Sequence, residues 1–146
     1  MPILKTIKAA KKLKGIYVLL IQINKRISIE IGALGEVTFP EGLFAYVGSA
    51  QNNLELRVKR HQRKEKRLFW HIDYLLNNPA AKITDVLYKV GGKPEECKIA
   101  NLLQQKAEPI TGFGNSDCKC NSHLFRSRNF GFLKQQMKDL KLNNNL

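Results

Sequence analysis

The sequence predicts a mixed α/β (α+β) domain, with a small mixed or antiparallel central sheet flanked by helices. Strand-like apolar segments and helix-like segments are interspersed along the chain rather than grouped. The first strand signal, Ile16-Tyr17-Val18-Leu19-Leu20-Ile21-Gln22-Ile23, is a β-branched and aromatic run that reads as a buried strand. The chain has 146 residues, 43% of them hydrophobic, which suits one compact core and excludes a disordered tail.

The elements follow in order. Residues 1–14 form a basic lead without an acidic group, a short helix or a loose arm. A strand starts at Gly15, and residues 26–31 alternate polar and apolar as a half-exposed strand should, so Asn24-Lys25 reads as a tight hairpin between the two. Gly32, Gly35, Pro40 and Gly42 punctuate a short extended piece carrying Val37 and Phe39; another strand, residues 43–47, then runs into Gly48-Ser49-Ala50. A helix over 52–66 places Leu54 and Val58 on one face, and a second over 68–76 stops before Asn77-Asn78-Pro79. Residues 83–90 read as a strand turned by Gly91-Gly92. Pro94 with Glu95 and Glu96 opens a helix running to Lys106. Residues 107–121 are turn-rich, 122–125 suit a short strand, 129–140 an amphipathic closing helix, and the tail should fray. The division is therefore a lead (1–14), one domain (15–141) and a tail (142–146).

Charge narrows the function classes. Twenty-five Lys and Arg face twelve Asp and Glu, a formal net charge of +13. Such an excess opposes a compact fold by self-repulsion unless a polyanion neutralises it, and nucleic acid is the commonest one. The cations concentrate in residues 57–67, where Arg57, Lys59, Arg60, Arg63, Lys64, Lys66 and Arg67 accompany one acid, Glu65. A solvated helix normally mixes signs, so this segment reads as a phosphate clamp. A membrane surface is the weaker partner: Leu54 and Val58 are a thin apolar face, and no apolar run approaches the roughly 18–20 residues of a span. The three cysteines, an odd number all beyond residue 96, argue against a disulfide framework and for a reducing cytoplasm.

Weak signals combine into a stronger one. Gly15-Ile16-Tyr17 opens one strand, Tyr46-Val47-Gly48 closes a later one, and the helix that follows carries Arg57 and, one turn on, His61. This order resembles the GIY-YIG nuclease superfamily. The resemblance extends through Tyr46-Val47-Gly48-Ser49-Ala50, Arg60-His61, Trp70-His71-Ile72-Asp73-Tyr74-Leu75, Glu96-Cys97 and the stretch from Phe113 to Leu124. Together these are similar to one branch, the family catalogued as domain of unknown function number 123.

The resemblance implies a small central sheet flanked by helices and cleavage of phosphodiesters with one divalent cation, magnesium or manganese. By position it implies Tyr17 and Tyr46 flanking the scissile phosphate, Arg57 stabilising its charge, His61 as a neighbouring proton-transfer group and Glu96 as the metal carboxylate. Gly48, Ser49, Lys59, Arg60, Arg63, Lys64 and Arg67 would line the nucleic acid. Members of the branch joined to DNA-repair glycosylase domains tilt the partner towards DNA rather than RNA and towards repair proteins. Ser49 departs from the lysine that many members carry, which leaves a non-cleaving nucleic-acid-binding module as the alternative.

The chemistry fits those residue types. An arginine gives fixed charge with fork geometry, a carboxylate is a hard ligand for magnesium, and a tyrosine acts as a base only where neighbouring cations lower its pKa. Cys118, Cys120 and His123, with Cys97 or His71, could instead hold a structural zinc, but Cys-x-Cys is tighter than the usual spacing. Small buried thiols with His123 hydrogen-bonded in the core is the simpler reading. Asp73 is either a ligand, a helix-surface residue or a partner of a buried His71, and Trp70 a core anchor. Oligomeric state leaves no mark in the sequence.

Overall fold

The computed structural model describes residues 13–63, 65–114 and 122–140. The basic lead and the tail therefore fall largely outside the described residues. The antiparallel sheet has six strands in the order β6-β7-β4-β1-β5-β8. These are β1 (Gly15–Ile23), β4 (Gly42–Ala50), β5 (Ala81–Val90), β6 (Glu108–Pro109), β7 (Leu124–Ser127) and β8 (Lys138–Asp139). A separate ribbon pairs β2 (Ile27–Ile31) with β3 (Gly35–Phe39). The helices are α1 (Leu54–Gln62), α2 (His71–Leu76) and α3 (Pro94–Lys106). The expected α+β class is the observed one.

β1 sits centrally because it is apolar on both faces. Tyr17, Leu19, Ile21 and Ile23 enter a core shared with Leu54 and Val58 of α1 and Ile72 and Leu75 of α2. Ile16, Val18 and Leu20 point the other way, into a core with Ile99, Ala100 and Leu103 of α3. A strand with two buried faces needs a partner on each edge, and β4 and β5 supply them. The Asn24-Lys25 hairpin is accordingly absent: β2 alternates, needs one covered face, and pairs with β3 while packing against α2.

Other boundaries also shift. α1 is shorter than the expected 52–66. Asn53 caps its start, accepting from the Leu56 amide at 3.1 Å, and Arg63 is already extended at its end. Lys66 folds back, and its Nζ donates to the carbonyls of His61 (2.8 Å) and Arg63 (2.7 Å), satisfying the helix terminus. Continuing the helix would also have stacked Lys59 against Arg63, one turn apart and of like charge. α2 begins at His71 instead of 68 because Asp73 accepts from the amides of Phe69 and Trp70, both at 2.9 Å, and fixes an extended lead-in. The closing helix is not formed. Phe130, Leu133 and Met137 are buried at a helix-like spacing, but the chain makes a 3-10 turn (Gly131–Gln135) and then pairs with the edge of β5. No helix of the described residues is long and apolar enough to cross a membrane.

Candidate active site

One open cavity of about 780 Å³ gathers Tyr17, Tyr46, Gly48, Ser49, Arg57 and Glu96. It forms where the layers meet. Tyr17 and Tyr46 come from the α1/α2 side of the sheet, whereas α3 packs its apolar face on the other side and contributes Glu96 from its first turn.

Register brings the two tyrosine-bearing segments together. Tyr17 lies opposite Gly48 in the β1–β4 pair, and a Cβ on Gly48 would stand 2.5 Å from the Tyr17 hydroxyl. The glycine of the second segment thus makes room for the tyrosine of the first. The Tyr17 hydroxyl and His61 Nε2 are 2.7 Å apart, and the Tyr46 and His61 rings pack edge to face at 6.1 Å. The His61 Nδ1 is buried and has no hydrogen-bond partner.

Arg57 donates through Nη1 to the Ser49 carbonyl at 3.2 Å, and its guanidinium lies 4.7 Å from the centroid of the Trp70 ring. That leaves a fixed cation whose charge acts on the Tyr17 hydroxyl. Arg60 is spent differently from expectation. It forms a two-pronged pair with Asp73 (2.9 and 3.0 Å) and stacks 4.4 Å from the Trp70 centroid. Asp73 is fully buried, so it is not a surface residue, and its oxygens are engaged by Arg60 and by the Phe69 and Trp70 amides rather than by His71. His71 instead accepts the Gly114 amide on Nδ1 at 2.9 Å. Trp70 is half-buried and lines the cavity between the two arginines.

Glu96 is 7% exposed, and its Oε2 lies 3.4 Å from Nδ1 of His123. His123 is itself fixed by its backbone, donating to the Phe113 carbonyl and accepting from the Val47 amide. His123 therefore serves Glu96. Cys97 is half-buried on α3, while Cys118 and Cys120 lie outside the described residues.

Not every expected contact residue reaches the cavity. Lys59, Arg63 and Arg67 are not among its lining, and Arg63 borders a separate cavity of about 390 Å³ instead. Lys64 lies outside the described residues. Of the expected basic run, Arg57 and Arg60 line the cavity, with Lys93 of the later segment beside them. Phe69, Leu56 and Lys93 line the cavity without a motif to announce them. The one sequence signal was an aromatic pair, Phe69-Trp70, set among cations.

Electrostatics corrects the idea that nearby cations activate a tyrosine. Burial pushes the Tyr17 hydroxyl far above its ordinary value, and Arg57 offsets only part of this. Burial does the same to Tyr46, with Tyr17 adding to it. Both remain protonated. Burial pushes the His61 imidazole down to about 3, against the opposing pull of Asp73 and with help from Lys66, Arg60 and Arg57. Burial alone would raise the Asp73 carboxyl, but Arg60 and the amides of Trp70 and Phe69 hold it below the usual carboxylate range.

The cavity thus joins two tyrosines, an arginine and a shielded carboxylate. The chain belongs to the family described as "Domain of unknown function DUF123", whose model matches residues 16–144. No curated protein and no solved structure matches it.

Proposed function

We propose that the protein is a metal-dependent endonuclease of the GIY-YIG type that cleaves phosphodiesters in nucleic acid, DNA before RNA, in a repair or processing context. The observation that carries this reading is the meeting of Tyr17, Tyr46, Arg57 and Glu96 on one open cavity, with His61 behind Tyr17.

The donor set fits magnesium or manganese. Glu96 is a hard oxygen ligand on a solvent-connected cavity, which suits an ion that keeps most of its waters. When bound, that ion would supply Lewis-acid charge at the phosphate. The chain does the rest. Arg57, anchored on the Ser49 carbonyl, opposes the charge that develops on phosphorus-bound oxygens. Tyr17 takes a proton from the attacking water at its oxygen as its own proton passes to His61 Nε2. A bound phosphate favours this transfer, because its negative charge stabilises the imidazolium that burial, and then the neighbouring cations, disfavour. Tyr46 hydrogen-bonds the phosphate on the opposite side.

A second reading, a binding module that no longer cuts, is favoured by one observation: burial holds both tyrosines protonated, with serine at position 49. Incubation with branched, nicked and single-stranded DNA and with RNA, in magnesium, in manganese and in chelator, separates the two. Metal-dependent cleavage of any substrate supports the nuclease. Binding without cleavage on every one retires it in favour of the module.

A further inference from the structure

Among the described residues, the large apolar side chains left exposed are Leu56 (62%), Phe69 (72%) and Val90 (60%). Two of these three line the same cavity as Arg57 and Glu96. An aromatic ring held in water costs free energy, and the coincidence of two such side chains with an anion site calls for an occupant with an apolar face.

The segment bearing Phe69 is also fixed. The Phe69 amide donates to Asp73 Oδ2 at 2.9 Å, and Arg60 Nη2 donates to the Arg67 carbonyl at 3.2 Å. Trp70 meets Phe69 edge to face at 5.8 Å and is itself stacked by Arg57 and Arg60. Phe69 is thereby presented on a braced backbone instead of a loose loop, with cations beside it and a net charge of +13 behind it.

We propose that Phe69, flanked by Leu56, is a stacking platform for an unpaired nucleobase next to the phosphate site, so that the preferred substrate is nucleic acid with at least one unstacked nucleotide. The proposal rests on the nucleic-acid reading above. A base within a duplex already has its faces covered by neighbours and cannot offer one to Phe69. An unpaired base can, and such stacking tolerates every base because each has a π-face. A phosphate held by Arg57 and a base held by Phe69 give a two-point grip that a smooth duplex does not satisfy.

The test is binding in chelator, which removes cleavage, using fluorescence anisotropy on short single-stranded DNA, the matching RNA and a duplex. Wild type is compared with Phe69→Ala, Phe69→Trp and Leu56→Ala, all at exposed positions. Phe69→Ala should weaken single-strand binding about fivefold or more while changing duplex binding less than about twofold, and Phe69→Trp should restore it. A 2-aminopurine base in the single strand should be quenched by wild type and not by Phe69→Ala. Equal losses on single strand and duplex, or no loss on the single strand, would overturn the proposal and leave the endonuclease reading standing. Failure of wild type to bind any of these nucleic acids would remove both.

Discussion

Gly48 joins the two signature segments through a steric requirement. A methyl group there would stand 2.5 Å from both the hydroxyl and Cζ of Tyr17, and both residues sit on strands locked in register. Gly48→Ala should cost about 1–3 kcal/mol in denaturant unfolding and displace the Tyr17 phenol, with cleavage falling accordingly. His61 gives a second check. Its folded pKa, about 3, lies below the ordinary value of 6.5. The unfolded chain therefore binds the proton first, and stability is complete above about pH 6.5 and lost as pH falls towards 3. Between pH 6.5 and 4.5, where carboxylates contribute little, wild type should lose stability at a slope approaching about 1.4 kcal/mol per pH unit, and His61→Gln should flatten that slope. At this scale the sequence was informative about identity and silent about state. Tyr17, Tyr46, Arg57 and Glu96 stand where the motif order put them. The Glu96–His123 pair joins positions too far apart in the chain for spacing to reveal, and burial set the tyrosine pKa against the expected direction.

Elements built from local signals matched the sequence, and those decided by tertiary partners did not. α3 has its expected ends, since Pro94 and two acids mark the start. α1 does not, because no propensity foretells that Lys66 will turn back to cap it. The 129–140 segment carries a helical spacing of apolar residues, yet pairing with β5 outcompetes the helix. Asp73 is the residue on which the geometry of the cavity wall depends. It anchors Arg60, and it accepts the amides that set the path of Phe69 and Trp70 into α2. Asp73→Asn keeps an acceptor oxygen but leaves Arg60 without its counter-charge. It should lower unfolding stability by roughly 3 kcal/mol and loosen the Phe69–Trp70 segment, as read by tryptophan fluorescence. An unchanged denaturation midpoint would show the pair to be ornamental.

Over the whole molecule, a net charge of +13 and a cavity that straddles the two cores support the proposed polyanionic substrate. Charge alone was readable from composition, but its distribution was not. Part of the basic run through and after α1 serves the protein itself: Arg60 braces Asp73 and Lys66 caps a helix. Arg57 is left as the arginine proposed to meet a phosphate. The proposed cleavage requires Glu96 to hold a divalent cation against a bound phosphodiester in that cavity. Its most direct test is single-turnover cleavage in magnesium by wild type and Glu96→Gln, with oligonucleotide affinity measured on the same preparations. The predicted result is affinity kept and cleavage reduced about 100-fold or more; cleavage at an undiminished rate by Glu96→Gln would contradict it.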